Sequence, residues 1–226
     1  MNNYSIKKGY QCNLDSQGQA IPYADDKHSS SSYQVKVYEF AKKVIKNHKL
    51  KSVLDVGCGF GLKLKHIIHP VCDDIVGIDT SHAINFCRQE HHFGKWLEDN
   101  IDKPTLNLNK RFDLIISSDV IEHLTDPDKL LAYIKNYSHN NTHVIISTTE
   151  SDLIRGQMSL GPPSNIAHVR EWNRSEFREY ISSRGFKIIK HFLIGERGQS
   201  LIEIIKKLAL FRPLKKCQVI YCKIEP

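Results

Sequence analysis

Between Ser52 and Ser147 short apolar runs alternate with stretches of helical periodicity, and few folds accommodate that rhythm. Ser52 to Val56, Ile75 to Asp79, Phe112 to Ser117 and Thr142 to Ser147 read as strands, with a weaker one at Lys95 to Glu98. Leu62 to Ile68, Ser81 to His91 and Pro127 to Asn136 read as the helices between them. Strands separated by helices are joined by right-handed crossovers, which makes the sheet parallel and covers both of its faces. The expected class is α/β.

Upstream, Tyr33, Val37, Phe40, Ala41, Val44 and Ile45 share one helical face, with serines ahead of Tyr33 as caps. Downstream, an amphipathic helix over Arg174 to Arg184 ends at Gly185 and a strand follows from Phe186 to Ile194. Ser200 to Leu210 then reads as helix and Cys217 to Ile224 as a last strand, so an antiparallel pair is expected to close one sheet edge. Residues 1–32 are polar and turn-rich and read as an arm or lid, leaving 33–226 as one domain.

Composition narrows the function. No segment has the run of uncharged apolar residues that a membrane span requires, and no basic-then-apolar leader opens the chain, so the expected location is the cytoplasm. The six cysteines show neither paired nor zinc-finger spacing and read as free thiols. The formal charge of +7 concentrates late, with ten Lys or Arg against two Glu from Arg184 to Lys223. That stretch reads as a solvated basic face or as a contact for an anionic partner.

The chemistry begins at DVGCGFG, residues 55 to 61, where the first strand turns into a helix. Gly57, Gly59 and Gly61 allow a sharp turn and close approach of a ligand to backbone. A dinucleotide would bring a pyrophosphate to this loop, and Asp55 would repel it. S-adenosylmethionine carries a sulfonium and an ammonium and no phosphate, so an acid at the end of the first strand suits it. Asp79, closing the second strand in Gly77-Ile78-Asp79, is placed to accept from both hydroxyls of a ribose.

The ordered set VLDVGCGFG, VGIDTS and RFDLIISSDVIEHLTDP resembles the class I S-adenosylmethionine-dependent methyltransferases, over most of the chain from Tyr33 onward. The resemblance implies a Rossmann-like seven-stranded, mostly parallel sheet of order 3-2-1-4-5-7-6, the last strand antiparallel. It also implies that Asp55, Gly57, Cys58, Gly59 and Gly61 surround the methionine part of the cofactor, with Asp79 on the ribose and Thr80 beside the adenine. The family usually has Asp after the third strand; this chain offers Asn100 beside Ile101, with Asp99 one place earlier. Ser118 and Asp119 follow the fourth strand as cofactor neighbours. His123 is either a base or a structural residue of its turn.

The acceptor pocket falls to two insertions. The N-terminal arm offers Tyr23 and Tyr33. The long connection from Arg155 to Trp172 offers His168 as a base and Arg170 as an anion clamp, or both residues as braces of the loop. Its Gly-Pro-Pro turn followed by His-Val-Arg-Glu-Trp resembles methyltransferases of bacterial surface-polysaccharide and other glycoconjugate pathways. Asp119, Glu122, His123, Asp126 and Asp128 are dense but lack His-Glu-x-x-His or comparable spacing, so no metal is expected. The expected reaction is methyl transfer to oxygen or nitrogen of a small sugar-like or phosphorylated acceptor, with nucleic acid disfavoured as a partner. An RNA or protein methyltransferase and a non-catalytic methyltransferase-like subunit are the alternatives.

Overall fold

The computed structural model describes residues 4–22, 34–195 and 215–225. Tyr23, Tyr33 and the helix expected over Ser200 to Leu210 lie outside the described residues. The strands are β1 (Ser52–Val56), β2 (Asp74–Asp79), β3 (Lys95–Glu98), β4 (Phe112–Ser118), β5 (Ser138–Thr149), β6 (Phe186–Gly195) and β7 (Lys215–Ile224). Among the described residues these seven form one sheet of order β3-β2-β1-β4-β5-β7-β6. β1 to β5 pair in parallel, whereas β7 runs antiparallel to both β5 and β6. The expected fold class is found, including the antiparallel last strand β7, which lies between β5 and the edge strand β6.

Alternation along the strands assigns side chains to the two faces. Leu54, Val56, Ile115, Val144 and Ile146 pack under helices α3 (Pro127–Asn136) and α5 (Arg174–Ser183). Val53, Leu114, Ile116 and Ile145 pack under α1 (Val35–His48) and α2 (Ser81–Glu90). Each large apolar side chain so buried contributes roughly 1.5–3 kcal/mol. Asp55 takes the next position on the α1 face after Val53, so a carboxylate stands where the pattern calls for an apolar residue.

The helix ends follow from capping residues. Asp126 accepts from the Asp128 amide at 3.2 Å with Pro127 at the first helical position of α3, and Asn173 with Glu176 makes a full capping box on α5. α4 (Ser151–Arg155), a short helix absent from the sequence reading, is capped by Glu150. The segment expected as helix at Leu62 to Ile68 starts with α-helical residues, widens into a π-helical turn at Leu64–Ile68 and tightens into a 3₁₀ turn at His69–Val71, which ends at Cys72. Among the described residues no helix is long and apolar enough to cross a membrane.

Two glycines are dictated by packing between elements. Gly57 has φ +82°, and a Cβ there would stand 2.1 Å from Val120 Cγ2. Gly77, on β2, would bring a Cβ within 2.5 Å of the Trp96 ring. Gly57→Ala is expected to destabilise the protein by about 2–4 kcal/mol through a strained backbone and a clash. Urea unfolding of Gly57→Ala, Val120→Ala and the double variant checks this; the double variant should recover about 1 kcal/mol or more of the clash component.

Candidate active site

The ends of β1, β2 and β4 converge at the C-terminal edge of the sheet, and the glycine loop is tied down there. The amides of Gly57 and Cys58 donate to Ile78 O at 2.8 and 3.1 Å, and the Gly59 amide donates to Asp79 Oδ2 at 2.8 Å. Asp79 Oδ1 accepts from the Thr80 amide at 2.7 Å. Burial raises the Asp79 pKa despite these donors.

Asp55 is fully buried. The Tyr38 hydroxyl, from α1, donates to its Oδ2 at 2.8 Å, and Oδ1 has no partner. Burial pushes its carboxyl up to about 7, against the opposing influence of Tyr38 and of Lys63. Asp119 follows β4 in the left-handed conformation at φ 54° and accepts from Ser147 Oγ at 3.2 Å. A non-glycine residue in this region is uncommon and costs backbone energy that the surrounding contacts must offset. Burial raises its carboxyl to about 6. Ser118 Oγ shares a 2.8 Å hydrogen bond with Ser147 Oγ.

At the end of β3 the structure separates two neighbours. Asp99 accepts from the Thr105 amide at 2.9 Å, from Leu106 N at 3.3 Å and from the Tyr133 hydroxyl at 2.9 Å, so it anchors the loop that follows. Asn100 is exposed, its Oδ1 accepting from the Asp102 amide in a local turn, and Ile101 is buried beside it. Asp99 is committed to structure, which leaves Asn100 and Ile101 as the residues at the strand tip.

On the other side of Asp119, a 3₁₀ turn at Ile121–His123 meets the connection between α4 and α5. The amides of Val169 and Arg170 both approach Glu122 O, at 2.8 and 3.3 Å. This docking brings His168 against His123, with ring centroids 4.8 Å apart, and places both imidazoles beside Glu122. Glu122 is fully buried and neither carboxylate oxygen has a partner. Burial, reinforced by Asp119, pushes its carboxyl up to about 8. His123 falls to about 4 through burial and repulsion from His168. Burial pulls His168 down as well, but Glu171, Glu122 and Asp119 outweigh it and leave its pKa above the ordinary value.

Of the two readings for Arg170, anion clamp or loop brace, its contacts favour the brace. Its guanidinium donates to Leu124 O at 2.9 Å and Thr125 O at 2.8 Å and lies over the Tyr4 ring, so it braces the turn. The described part of the N-terminal arm is likewise docked: Trp172 Nε1 donates to Tyr4 O, and Asn13 Nδ2 donates to Pro163 O, Asn165 O and His168 O. Two residues passed over in the sequence reading belong to the site. Tyr38 looks like one more apolar-face residue of α1, and Lys63, with its Nζ 5.4 Å from the Tyr38 ring centroid, draws the Asp55, Asp79 and Asp119 carboxyls down from across the glycine loop.

Buried carboxylates around a glycine loop suit a cationic nucleoside: the unpartnered Asp55 Oδ1 and the pKa rises at Asp55 and Asp119 describe a pocket short of positive charge. The comparisons agree. A family model described as a methyltransferase domain matches residues 27–191. The mitochondrial ubiquinone biosynthesis O-methyltransferase of Dictyostelium discoideum is 27% identical over 111 residues, covering 43% of this chain and 35% of that protein. The small RNA 2'-O-methyltransferase of Mus musculus is 26% identical over 168 residues, covering 63% and 40%. A solved S-adenosylmethionine-dependent methyltransferase from Clostridium acetobutylicum superposes with a TM-score of 0.61 at 13% identity, over 85% of this chain and 93% of that one. The chain belongs to the methyltransferase-domain family, and its fold is that of the solved S-adenosylmethionine-dependent methyltransferase from Clostridium acetobutylicum. It spans two-fifths or less of the length of those two curated relatives.

The raised Asp55 pKa has a consequence for stability. Between the unfolded value of 3.8 and the folded value of about 7, the folded state holds a proton that the unfolded state releases, so stability falls as pH rises through this window. In ligand-free thermal melts, Asp55→Asn should lose less stability than wild type between pH 5 and pH 7.5, with wild type dropping roughly 5 °C more. Equal slopes for the two proteins would show that Asp55 titrates normally.

Proposed function

We propose that this protein methylates a hydroxyl of a sugar-like small molecule. S-adenosylmethionine, when bound, supplies an electrophilic methyl group on a positively charged sulfur. The glycine loop and Asp79 are the residues that would hold it, with Thr80, Asn100 and Ile101 at the adenosine end. Asp55 and Asp119 favour its positive charge, and Ser118 fixes the strand end on which Asp119 stands. The acceptor oxygen would take the methyl group of the bound donor, and the hydroxyl proton would pass to water beside His123 and His168.

The observation that carries the choice of oxygen is the set of Glu122, His123 and His168 packed beside Asp119. An amine need only arrive neutral and can lose its proton after transfer, whereas a hydroxyl gains from groups that orient it and favour loss of its proton as it attacks. The other contribution is alignment and exclusion of water, supported by the docked arm and the 156–172 connection. The sugar assignment, in surface-polysaccharide or other glycoconjugate precursors, is supported by the resemblance of the Gly161 to Trp172 segment. A ribose 2'-hydroxyl in RNA is the second reading, favoured by the matched small RNA 2'-O-methyltransferase.

Transfer of labelled methyl from S-adenosylmethionine to fractionated metabolites and to bulk RNA separates the readings. Label in base-stable, small carbohydrate products supports the first, and label confined to RNA supports the second. Asp79→Ala should weaken S-adenosylmethionine binding by ~10- to 100-fold by removing a charged hydrogen-bond acceptor. Unchanged affinity by calorimetry would remove Asp79 from the site.

A further inference from the structure

Glu122, His123 and His168 each offer one ligand atom, and these atoms lie within 4.8 Å of one another. Both oxygens of the fully buried Glu122 lack a hydrogen-bond partner, an unfavourable state for a carboxylate, and His168 is the cation that draws on it. Neither imidazole donates to it. A proton-sharing cluster would show such a hydrogen bond.

The two histidines are oriented from behind. His123 Nδ1 lies 2.8 Å from Ala167 O, and His168 Nδ1 lies 2.7 Å from Glu171 Oε1. Each acceptor places the ring proton on Nδ1 and leaves the lone pair on Nε2. This is the outer-shell support that metal-ligating histidines have, one from a backbone carbonyl and one from a carboxylate. Glu171 is itself buried, with Arg155 Nε 3.2 Å from its other oxygen. The orientation of His168 therefore does not depend on solvent.

We propose that Glu122, His123 and His168 bind one divalent transition-metal ion. Two imidazoles and one carboxylate favour zinc, cobalt, nickel, manganese or ferrous iron over magnesium or calcium, which prefer all-oxygen sets. Three protein ligands leave coordination positions open. For its role in catalysis the inference rests on the hydroxyl-acceptor reading: the ion coordinates the acceptor oxygen, lowers its pKa, and the proton leaves to water. Metal binding itself does not rest on that reading. The ligands come from a 3₁₀ turn and a remote loop, which is why no metal-binding spacing is visible in the sequence.

The test is titration of the chelator-stripped full chain with Co²⁺ and Zn²⁺ by calorimetry, with the Co²⁺ visible spectrum as a second readout. One equivalent should bind and raise the thermal midpoint. His168→Ala and Glu122→Gln should weaken this binding by more than about 10-fold, and Glu171→Gln by about 10-fold or more. A S-adenosylmethionine-induced thermal shift retained in each variant shows that it is folded. Absence of saturable binding, or binding unchanged in both Glu122→Gln and His168→Ala, overturns the site. One-equivalent binding with methyl transfer confined to amines would keep the metal site and remove the hydroxyl reading.

Discussion

The arrangement of this site depends on the burial of carboxylates at one edge of a parallel sheet with too little positive charge to balance them. Asp55 occupies a core position under α1, met by one tyrosine hydroxyl, and Asp119 is held in a left-handed conformation at the end of β4. Burying a carboxylate opposes folding unless a counter-charge or several donors compensate it. The rest of the fold supplies that tolerance: apolar layers on both faces of the sheet and a glycine loop locked to Ile78 and Asp79. The deficit of positive charge is a preformed preference for a cationic ligand.

The acceptor side is built by a different device. The 156–172 connection has little regular structure of its own and is anchored along its second half: the amides of Val169 and Arg170 on Glu122 O, the Arg170 guanidinium on Leu124 and Thr125, and Asn13 of the arm on three of its carbonyls. These contacts fix His168 relative to His123 without strand or helix geometry.

Much of this was legible in the sequence, for identifiable reasons. Buried parallel strands show as continuous apolar runs, so the parallel sheet was legible, and glycines at residues 57, 59 and 61 mark a turn only glycine makes cheaply; the strand order came from the resemblance to class I methyltransferases. The π-helical turn after Leu64 did not, because its periodicity over so few residues matches an α-helix. Tyr38 was hidden as one apolar-face residue among several. Arg170 stayed between clamp and brace because guanidinium chemistry suits phosphate and backbone carbonyl alike, and only packing decides which it meets. The grouping of Glu122, His123 and His168 depends on a long-range loop docking that no local pattern encodes.

The central claim is that the cofactor pocket is tuned to positive charge on sulfur. Calorimetry of S-adenosylmethionine and of its neutral product S-adenosylhomocysteine, each near pH 7 in buffers of different ionisation enthalpy, counts the protons exchanged on binding. If Asp55 and Asp119 titrate as the structure indicates, the sulfonium ligand releases more protons than the thioether, since it brings one more positive charge to those carboxyls. Equal proton counts for the two ligands would contradict the account.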